Sequence, residues 1–435
     1  RQGGALASVR YVARFFFDPI GFVGERFRTY GDIYNAPSRG TDLYVLRRPE
    51  HVRDVLVTQA ENFAKTHTAF EALSRILGEG LLTTEGDVWR RHRRLANPAF
   101  AKKAIEGYVR DFFIEARATR DALVPGARVD MAAEMTALTL RVVGRTLLGA
   151  ESVADIQTIA RSMRGFQIGL AAPRSLPAPL RMVSDRLVGR WVRDLHAILD
   201  RAMAARRAAP RDPPDLMQVL LDASDPDEPG AKLSEAEVRD ELVTFLLAGH
   251  ETTSNTLAWA LYLLSRAPEV EARVREEARA ADEDAIASGD LEGLRFTEQV
   301  VKEALRLYPP AYVLARRARG ATTLAGYDVA PQTEVVTWIY FTHRDRDAYP
   351  DPEAFRPERF APEAEAKLPR GAFIPFGAGP RACIGKAFAL AEATVALATL
   401  YRTRRFEYLA ARPPKLSARI TLAPAGGLEM RVQSA

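Results

Sequence analysis

Phe376-Gly377-Ala378-Gly379-Pro380-Arg381-Ala382-Cys383-Ile384-Gly385 contains the one cysteine of a 435-residue chain. A lone cysteine is most often a small buried hydrophobe. Four features here argue for something else. Cys383 stands at the start of an Ala- and Leu-rich helix expected from Ile384 to about Arg402, where free N–H groups and the helix dipole favour a thiolate. Arg381 adds positive charge two residues away. Gly377, Gly379 and Gly385 permit positive φ and let backbone approach a flat ligand. Phe376 can keep water off the sulfur. A shielded thiolate suits an axial bond to heme iron, where its electron density favours O–O cleavage.

The rest of the chain narrows the classes. At 47% hydrophobic and 27% charged residues it has ordinary globular composition, not that of a disordered chain. Gly 28 and Pro 27 are near average, which removes collagen-like and low-complexity classes. Lys+Arg 61 against Asp+Glu 56 leaves +5, mild for this length and without a long basic block, so nucleic acid is not an expected partner. One cysteine rules out an internal disulfide framework and any multi-cysteine zinc or iron–sulfur site. It fits a reducing, cytoplasmic setting. No apolar run is long enough to span a bilayer. The chain starts at Arg1 and not Met, so an earlier segment stays open.

Leu43–Leu46 reads as a strand, and Pro49 opens a helix to about Thr58. Residues 87–149 carry several helical patterns, and Asp212-Pro213-Pro214 and Asp225–Gly230 break the chain. Ser234 followed by Glu237 is a capping-box pattern. It opens a Pro-free run of roughly 30 residues that stops at Pro268, near twice the usual helix length. So long and apolar a helix should cross the interior. A helix over about 297–307 ends at Pro309-Pro310. Residues 345–380 are a long coil rich in Pro, Gly and charge, unusual unless functional.

Three further motifs stand on helices. Glu303-Ala304-Leu305-Arg306 pairs opposite charges at i, i+3, by itself an exposed ion pair of little worth. In Ala248-Gly249-His250-Glu251-Thr252-Thr253, Gly249 weakens the helix and Thr252 can bond the Ala248 carbonyl. Together they favour a bulge or kink. The plainer alternative is a polar patch facing solvent, but Glu251 and Thr252 sit in an otherwise apolar helix; His250 reads as a helix residue and not a metal ligand. In Trp89-Arg90-Arg91-His92-Arg93, Trp89 and Arg93 share a face at i, i+4, whereas Arg90 and Arg94 read as a solvated basic face.

These stretches resemble the cytochrome P-450 family of heme-thiolate monooxygenases. Phe376, Gly379, Arg381, Cys383 and Gly385 fill each fixed place of its Phe-x-x-Gly-x-Arg-x-Cys-x-Gly pattern. The likeness runs from about residue 30 to 430, with the motifs in family order. It implies a mainly α fold with small β-sheets (α+β), heme lying between the long central helix and the cysteine-loop helix. The chain would be one catalytic domain, β-rich at about 1–60 and 310–345 and helical at about 87–307 and 384–402.

The resemblance implies heme b (iron protoporphyrin IX) with Cys383 as the iron ligand. Trp89, Arg93, Arg381 and Arg316 (or the adjacent Arg317) would meet the propionates, and Phe376, Gly385 and Ala248 would contact the cofactor. Thr252 and Glu251 would be the acid–alcohol pair that relays protons through water during oxygen activation. Glu303, Arg306 and Arg359 would form a structural triad that pins the 345–380 coil.

The function implied is a soluble bacterial-type oxidoreductase that hydroxylates or epoxidises an apolar small molecule with O2. The chain shows no flavin or ferredoxin domain, so its electrons are expected from a separate ferredoxin or flavodoxin and its NAD(P)H reductase. That donor would meet a basic surface drawn from Arg90, Arg94, Lys102, Lys103, Lys386, Arg402, Arg404 and Arg405, the protein itself being a monomer. The segments around 64–82, 160–185 and 311–314, with Gly165–Leu170 and Val313, read as an apolar pocket for a fatty acid, terpenoid, steroid or polyketide. The motif style looks like the fatty-acid-hydroxylating bacterial branch. The competing readings are a peroxide-driven peroxygenase, a non-catalytic heme sensor or carrier, and a heme-free helical protein with a structural cysteine.

Overall fold

The computed structural model describes residues 14–435 except 16, 37–41, 66–72, 75–76, 150–154, 156, 163–164, 166–177, 213, 226, 228–229 and 231. Its axis is the central helix, Glu235–Ser265, 31 residues long. The expected capping box closes its start: Ser234 Oγ accepts the Glu237 N–H, and Glu237 accepts the Ser234 N–H at 2.7 Å. From Thr253 to Leu264 every residue is buried, so the helix is packed on all sides and crosses the interior. Trp259 stacks on Tyr308 at 4.0 Å between ring centres and donates from Nε1 to the Leu422 carbonyl.

The helix Met131–Leu148 lies along it. Gly249 lets the two come close, since a Cβ there would sit 3.2 Å from Val143 Cγ2. Thr139 Oγ1 donates to the His250 carbonyl at 2.9 Å. The bulge expected at 248–253 is not present, for the α-helix runs through it unbroken. Gly249 serves close packing, and Thr252 reaches the Ala248 carbonyl without opening the turn.

Lys386–Tyr401 forms the helix after the cysteine and packs on Lys102–Ala122, with Phe388 edge-on to Phe112. The helix Arg295–Leu307 packs against both the central helix and Lys386–Tyr401. Among the described residues four small sheets accompany the helices, which makes the chain mainly α with minor β, as expected. The largest orders its strands Ile33–Asn35, Leu43–Leu46, Glu334–Thr337, Leu314–Ala318 and Phe63–Lys65. Only the second and third of these run parallel. The helix opened by Pro49 runs to Arg53 and then widens into a π-helical turn, Asp54–Thr58. Its Leu56 carbonyl lies so near Gly379 that a Cβ there would approach to 1.9 Å, and Gly379 has φ +68°. Only glycine fits that contact.

The 345–380 coil contains only single turns, Pro357–Phe360, Pro362–Glu365 and the start of Gly379–Arg381. Among the described residues no helix is long and apolar enough to cross a membrane.

Candidate functional site

Cys383 sits three residues before its helix, which begins at Lys386 and not Ile384. Its backbone N–H donates to the Phe376 carbonyl at 2.8 Å, so the two ends of the loop are tied together. The side chain is exposed on one face yet set among protein atoms. Burial raises its pKa above the ordinary thiol value, while the Gly385 N–H and the Arg93 charge pull it down. Burial outweighs both. A bound metal cation would pull the pKa further down. Among the described residues no cluster of His, Cys, Asp or Glu forms any other metal site.

Around the loop stands an unusual set of cations. Arg93 Nη1 donates to the Ala382 carbonyl at 2.9 Å. Arg381 lies 3.8 Å over the Trp89 ring and 2.9 Å from Glu85 Oε1. Its buried Nη1 finds no hydrogen-bond partner among the described residues. Lys65 and Arg316 are directly opposed across antiparallel strands. Like charges facing one another in a sheet are destabilising, and here both are largely enclosed. Burial, then the charges of Arg381 and Arg316, push Lys65 down to about 7 against the pull of Glu85. Burial, reinforced by Arg316, Arg319 and Arg93 and opposed by Glu85, brings Arg381 down to about 10. A cluster this short of anions fits a ligand carrying carboxylates beside a flat ring, and the residues present suit heme.

Strand alternation separates Arg316 from Arg317. Arg317 pairs with Glu334, its cross-strand partner, at 2.8 Å. Arg316 is buried on the other face with Lys65.

On the central helix, Thr252 Oγ1 donates to the Ala248 carbonyl at 2.8 Å. Ala248 is exposed and Leu247, Gly249, Glu251 and Thr252 are half-buried, so the helix is uncovered at this turn. Glu251 Oε1 accepts from Thr421 Oγ1 at 2.5 Å, and Asn255 Nδ2 donates to the same hydroxyl at 3.0 Å. His250 is buried and bonded to the Leu246 carbonyl.

Glu303 and Arg306 are both 0% exposed, which overturns the surface-pair reading. Their contact is two-pronged, 2.6 and 2.8 Å. Arg306 also donates to the carbonyls of His343, Pro352 and Ala354. Arg359 Nε lies 3.5 Å from Glu303, and its Nη2 donates to the carbonyls of Pro350 and Asp351. Glu303, Arg306 and Arg359 thus meet the coil at its backbone.

The chain belongs to the cytochrome P450 family. The family model described as "Cytochrome P450" matches residues 19–427. The chain is 34% identical to "Cyclooctatin synthase" of Streptomyces melanosporofaciens over 85% of its length and 82% of that protein's. It is 34% identical, with the same coverage, to "Cyclooctat-9-en-7-ol 5-monooxygenase" of the same organism. It is 32% identical to "Pentalenene oxygenase" of Streptomyces avermitilis over 91% of this chain and 89% of that one. This P450 is accordingly a heme-iron oxidoreductase of the monooxygenase type.

Several residues at the P450 site gave no sequence signal. Lys65 and Glu85 enter through the sheet and the turn before the Trp89 helix. His343 accepts the Ile374 N–H at 2.9 Å and faces the Arg306 carbonyl at 3.2 Å, joining the triad to the cysteine loop. Thr421 comes from the hairpin Leu416–Ala418/Leu422–Pro424. Of the expected pocket segments, Phe166–Leu170 lies outside the described residues. Tyr312 is buried and donates to the carbonyls of Ala418 and Arg419, fastening that hairpin.

The expected basic face is smaller than the sequence implied. Arg94 pairs with Asp225 and Asp227, Arg405 with Glu271 and Arg402 with Glu283, and Arg404 donates to the Leu123 carbonyl. Arg90 is exposed beside Asp87, and Lys102, Lys103 and Lys386 remain exposed.

Proposed function

We propose that this P450 uses O2 and electrons from a separate ferredoxin- or flavodoxin-type protein to hydroxylate or epoxidise an apolar small molecule in the cytoplasm. Heme b (iron protoporphyrin IX), bound through Cys383, supplies oxygen activation at a C–H or C=C bond. The observation that carries the reading is the thiol beside the Gly385 N–H and Arg93, next to the enclosed cations Lys65, Arg316 and Arg381 gathered around the carboxylate of Glu85. Arg93, Arg316, Arg381 and Trp89 would hold the propionates, with Lys65 as a further cation. Gly385 and Phe376 would shape the space around the sulfur, and Ala248 the opposite wall.

Thr252 and Glu251 would handle the protons. The Thr252 hydroxyl rests on the Ala248 carbonyl and must turn from it to pass a proton on. Glu251 is the acid behind it, steadied by Thr421. A peroxygenase or a heme sensor has no need of that acid–alcohol pair. Glu303, Arg306 and Arg359 act on structure alone.

The names of two relatives specify an alkene and an alkenol. They support an olefinic, terpenoid-type hydrocarbon over a fatty acid, with apolar area and few polar anchors giving affinity. Arg90, Lys102, Lys103 and Lys386 remain as the docking face for an acidic donor, whose encounter rate should fall with salt.

The reduced carbon monoxide difference spectrum tests the core of this reading. Wild type should give the thiolate-type band and Cys383→Ser should lose it. Product formation with a surrogate ferredoxin and reductase, but not with peroxide alone, would separate the monooxygenase from the peroxygenase. A protein that purifies colourless from heme-supplied cells would sink both.

A further inference from the structure

The helix Gly86–Ala96 carries Trp89 and Arg93, and between them His92, for which the heme site has no use. His92 is 0% exposed and lies against the first turns of the central helix. Its Nδ1 is 2.8 Å from Glu241 Oε1, and its Nε2 is 3.2 Å from Glu237 Oε1. A neutral imidazole has one N–H and one lone pair. Facing carboxylate oxygens on both sides, such a ring would aim its lone pair at an anion. The geometry therefore asks for a proton on each nitrogen.

The neighbouring charges agree. Glu237 is ionised: its own burial is outweighed by the Ser234 N–H and then by Arg91 at 2.7 Å, which bring it down to about 2. Glu241 is 0% exposed, and its second oxygen has no hydrogen-bond partner among the described residues. Beside it on the central helix, Asp240 accepts the Glu79 N–H. On the helix Leu216–Asp222, Asp222 is bonded to Gln218, and in the loop after it Asp225 pairs with Arg94. Burial works against a charge on His92, but the hydrogen bonds and charges of Glu241 and Glu237 outweigh it, and its pKa lies above the ordinary imidazole value.

We propose that protonated His92, bridging Glu241 and Glu237, latches the Trp89–Arg93 helix to the central helix and is a positioning residue for heme retention, released when it loses its proton at alkaline pH. This rests on reading Arg93 as part of the propionate grip. The sign follows from the raised pKa. The latch contributes fully below the ordinary imidazole pKa and is lost as pH rises through the raised one.

The test is the rate of heme transfer from the holoprotein to excess apomyoglobin, from about pH 6 to about pH 10. Wild type should show a step, heme leaving several-fold faster above it than below. Glu241→Gln keeps an acceptor at Nδ1 but removes the charge, so the step should move to lower pH. His92→Gln should abolish the step and lose heme fast throughout. In the reduced, carbon monoxide-bound protein, which is diamagnetic, 15N-histidine NMR at neutral pH should find both His92 nitrogens protonated, and this needs no variant. A singly protonated ring, or a step that stays in place in Glu241→Gln, overturns the latch. Arg93→Gln serves as the separate control: if it keeps heme as wild type does, the grip reading fails while the position of the step still judges His92.

Discussion

Thr421 Oγ1 lies 2.5 Å from Glu251 Oε1 and receives the Asn255 amide at 3.0 Å. The carboxylate of the central helix is thereby tied to a hairpin 170 residues away. Tyr312 fastens the same hairpin through the Ala418 and Arg419 carbonyls. Tyr312 and the acid proposed for proton relay are therefore tied to one hairpin.

Thr421→Val removes the donor while keeping the shape. The lost hydrogen bond is worth about 1 kcal/mol, near a fivefold effect on the population of the held carboxylate. The variant should keep the reduced carbon monoxide spectrum but release several times more peroxide per NAD(P)H consumed. Thr421→Ser should restore wild-type coupling. Equal peroxide yield from all three proteins would show that the tie is incidental.

Arg306→Lys tests the buried pair. The two-pronged contact with Glu303 and the donations to His343, Pro352 and Ala354 need the guanidinium fork, which lysine lacks. Leaving Glu303 partly unpaired at zero exposure costs about 3–5 kcal/mol. Urea denaturation should show a loss of this size, with poor heme loading because the coil before Cys383 is no longer held. A change under about 1 kcal/mol would mean that water takes the place of the lost contacts.

His343 sets an acid limit. Burial, then the charge of Arg306, keeps its ring neutral, down to about 3. The unfolded chain takes up a proton near the ordinary imidazole value and the folded chain does not. The unfolded state thus binds more protons between those two pH values, and stability falls as pH drops through that window, by up to about 1.4 kcal/mol per unit. His343→Gln offers the Ile374 N–H a neutral acceptor and should flatten the slope of denaturation midpoint against pH. An unchanged slope would assign the acid sensitivity to other groups.

Lys65 should trade stability for cofactor. Its folded pKa, about 7, lies below the free lysine value, so near neutral pH its proton is held at a cost against Arg381 and Arg316. Lys65→Met removes that cost. The heme-free protein should melt higher, while the holoprotein should lose heme faster because one propionate partner is gone. The two shifts have opposite sign, which a purely structural lysine would not produce; heme loss at the wild-type rate would remove Lys65 from the grip.

Local spacing made much of this P450 legible. The capping box at Ser234, the strand Leu43–Leu46, the bond from Thr252 to Ala248 and the Glu303–Arg306 pair all follow from residues within four positions of one another. What stayed hidden depends on distant pairing. Lys65 becomes a site residue only because its strand registers with Arg316, and Thr421 only because a hairpin folds back on Glu251. Burial was equally invisible. It turns the Glu303–Arg306 pair from a surface decoration into a brace, and it opposes the thiolate that Gly385 and Arg93 favour at Cys383. Gly249 shows the same limit, for its partner Val143 is on another helix and explains the glycine without a kink.

Thr252→Ala decides whether the alcohol at the uncovered turn serves chemistry or the helix. Its hydroxyl bonds only its own helix, at the Ala248 carbonyl, and a threonine so placed adds little to stability. Its loss should shift the melting point by a few degrees at most, with the heme spectrum intact. If the hydroxyl passes protons, electrons will still be drawn from the donor but will leave largely as peroxide, product per electron falling by about tenfold or more. Thr252→Ser should recover most of the product, since it keeps the hydroxyl and drops only a methyl group. Normal coupling in the alanine protein would move the relay to Glu251 and water alone, and Glu251→Gln would then have to show the peroxide loss instead.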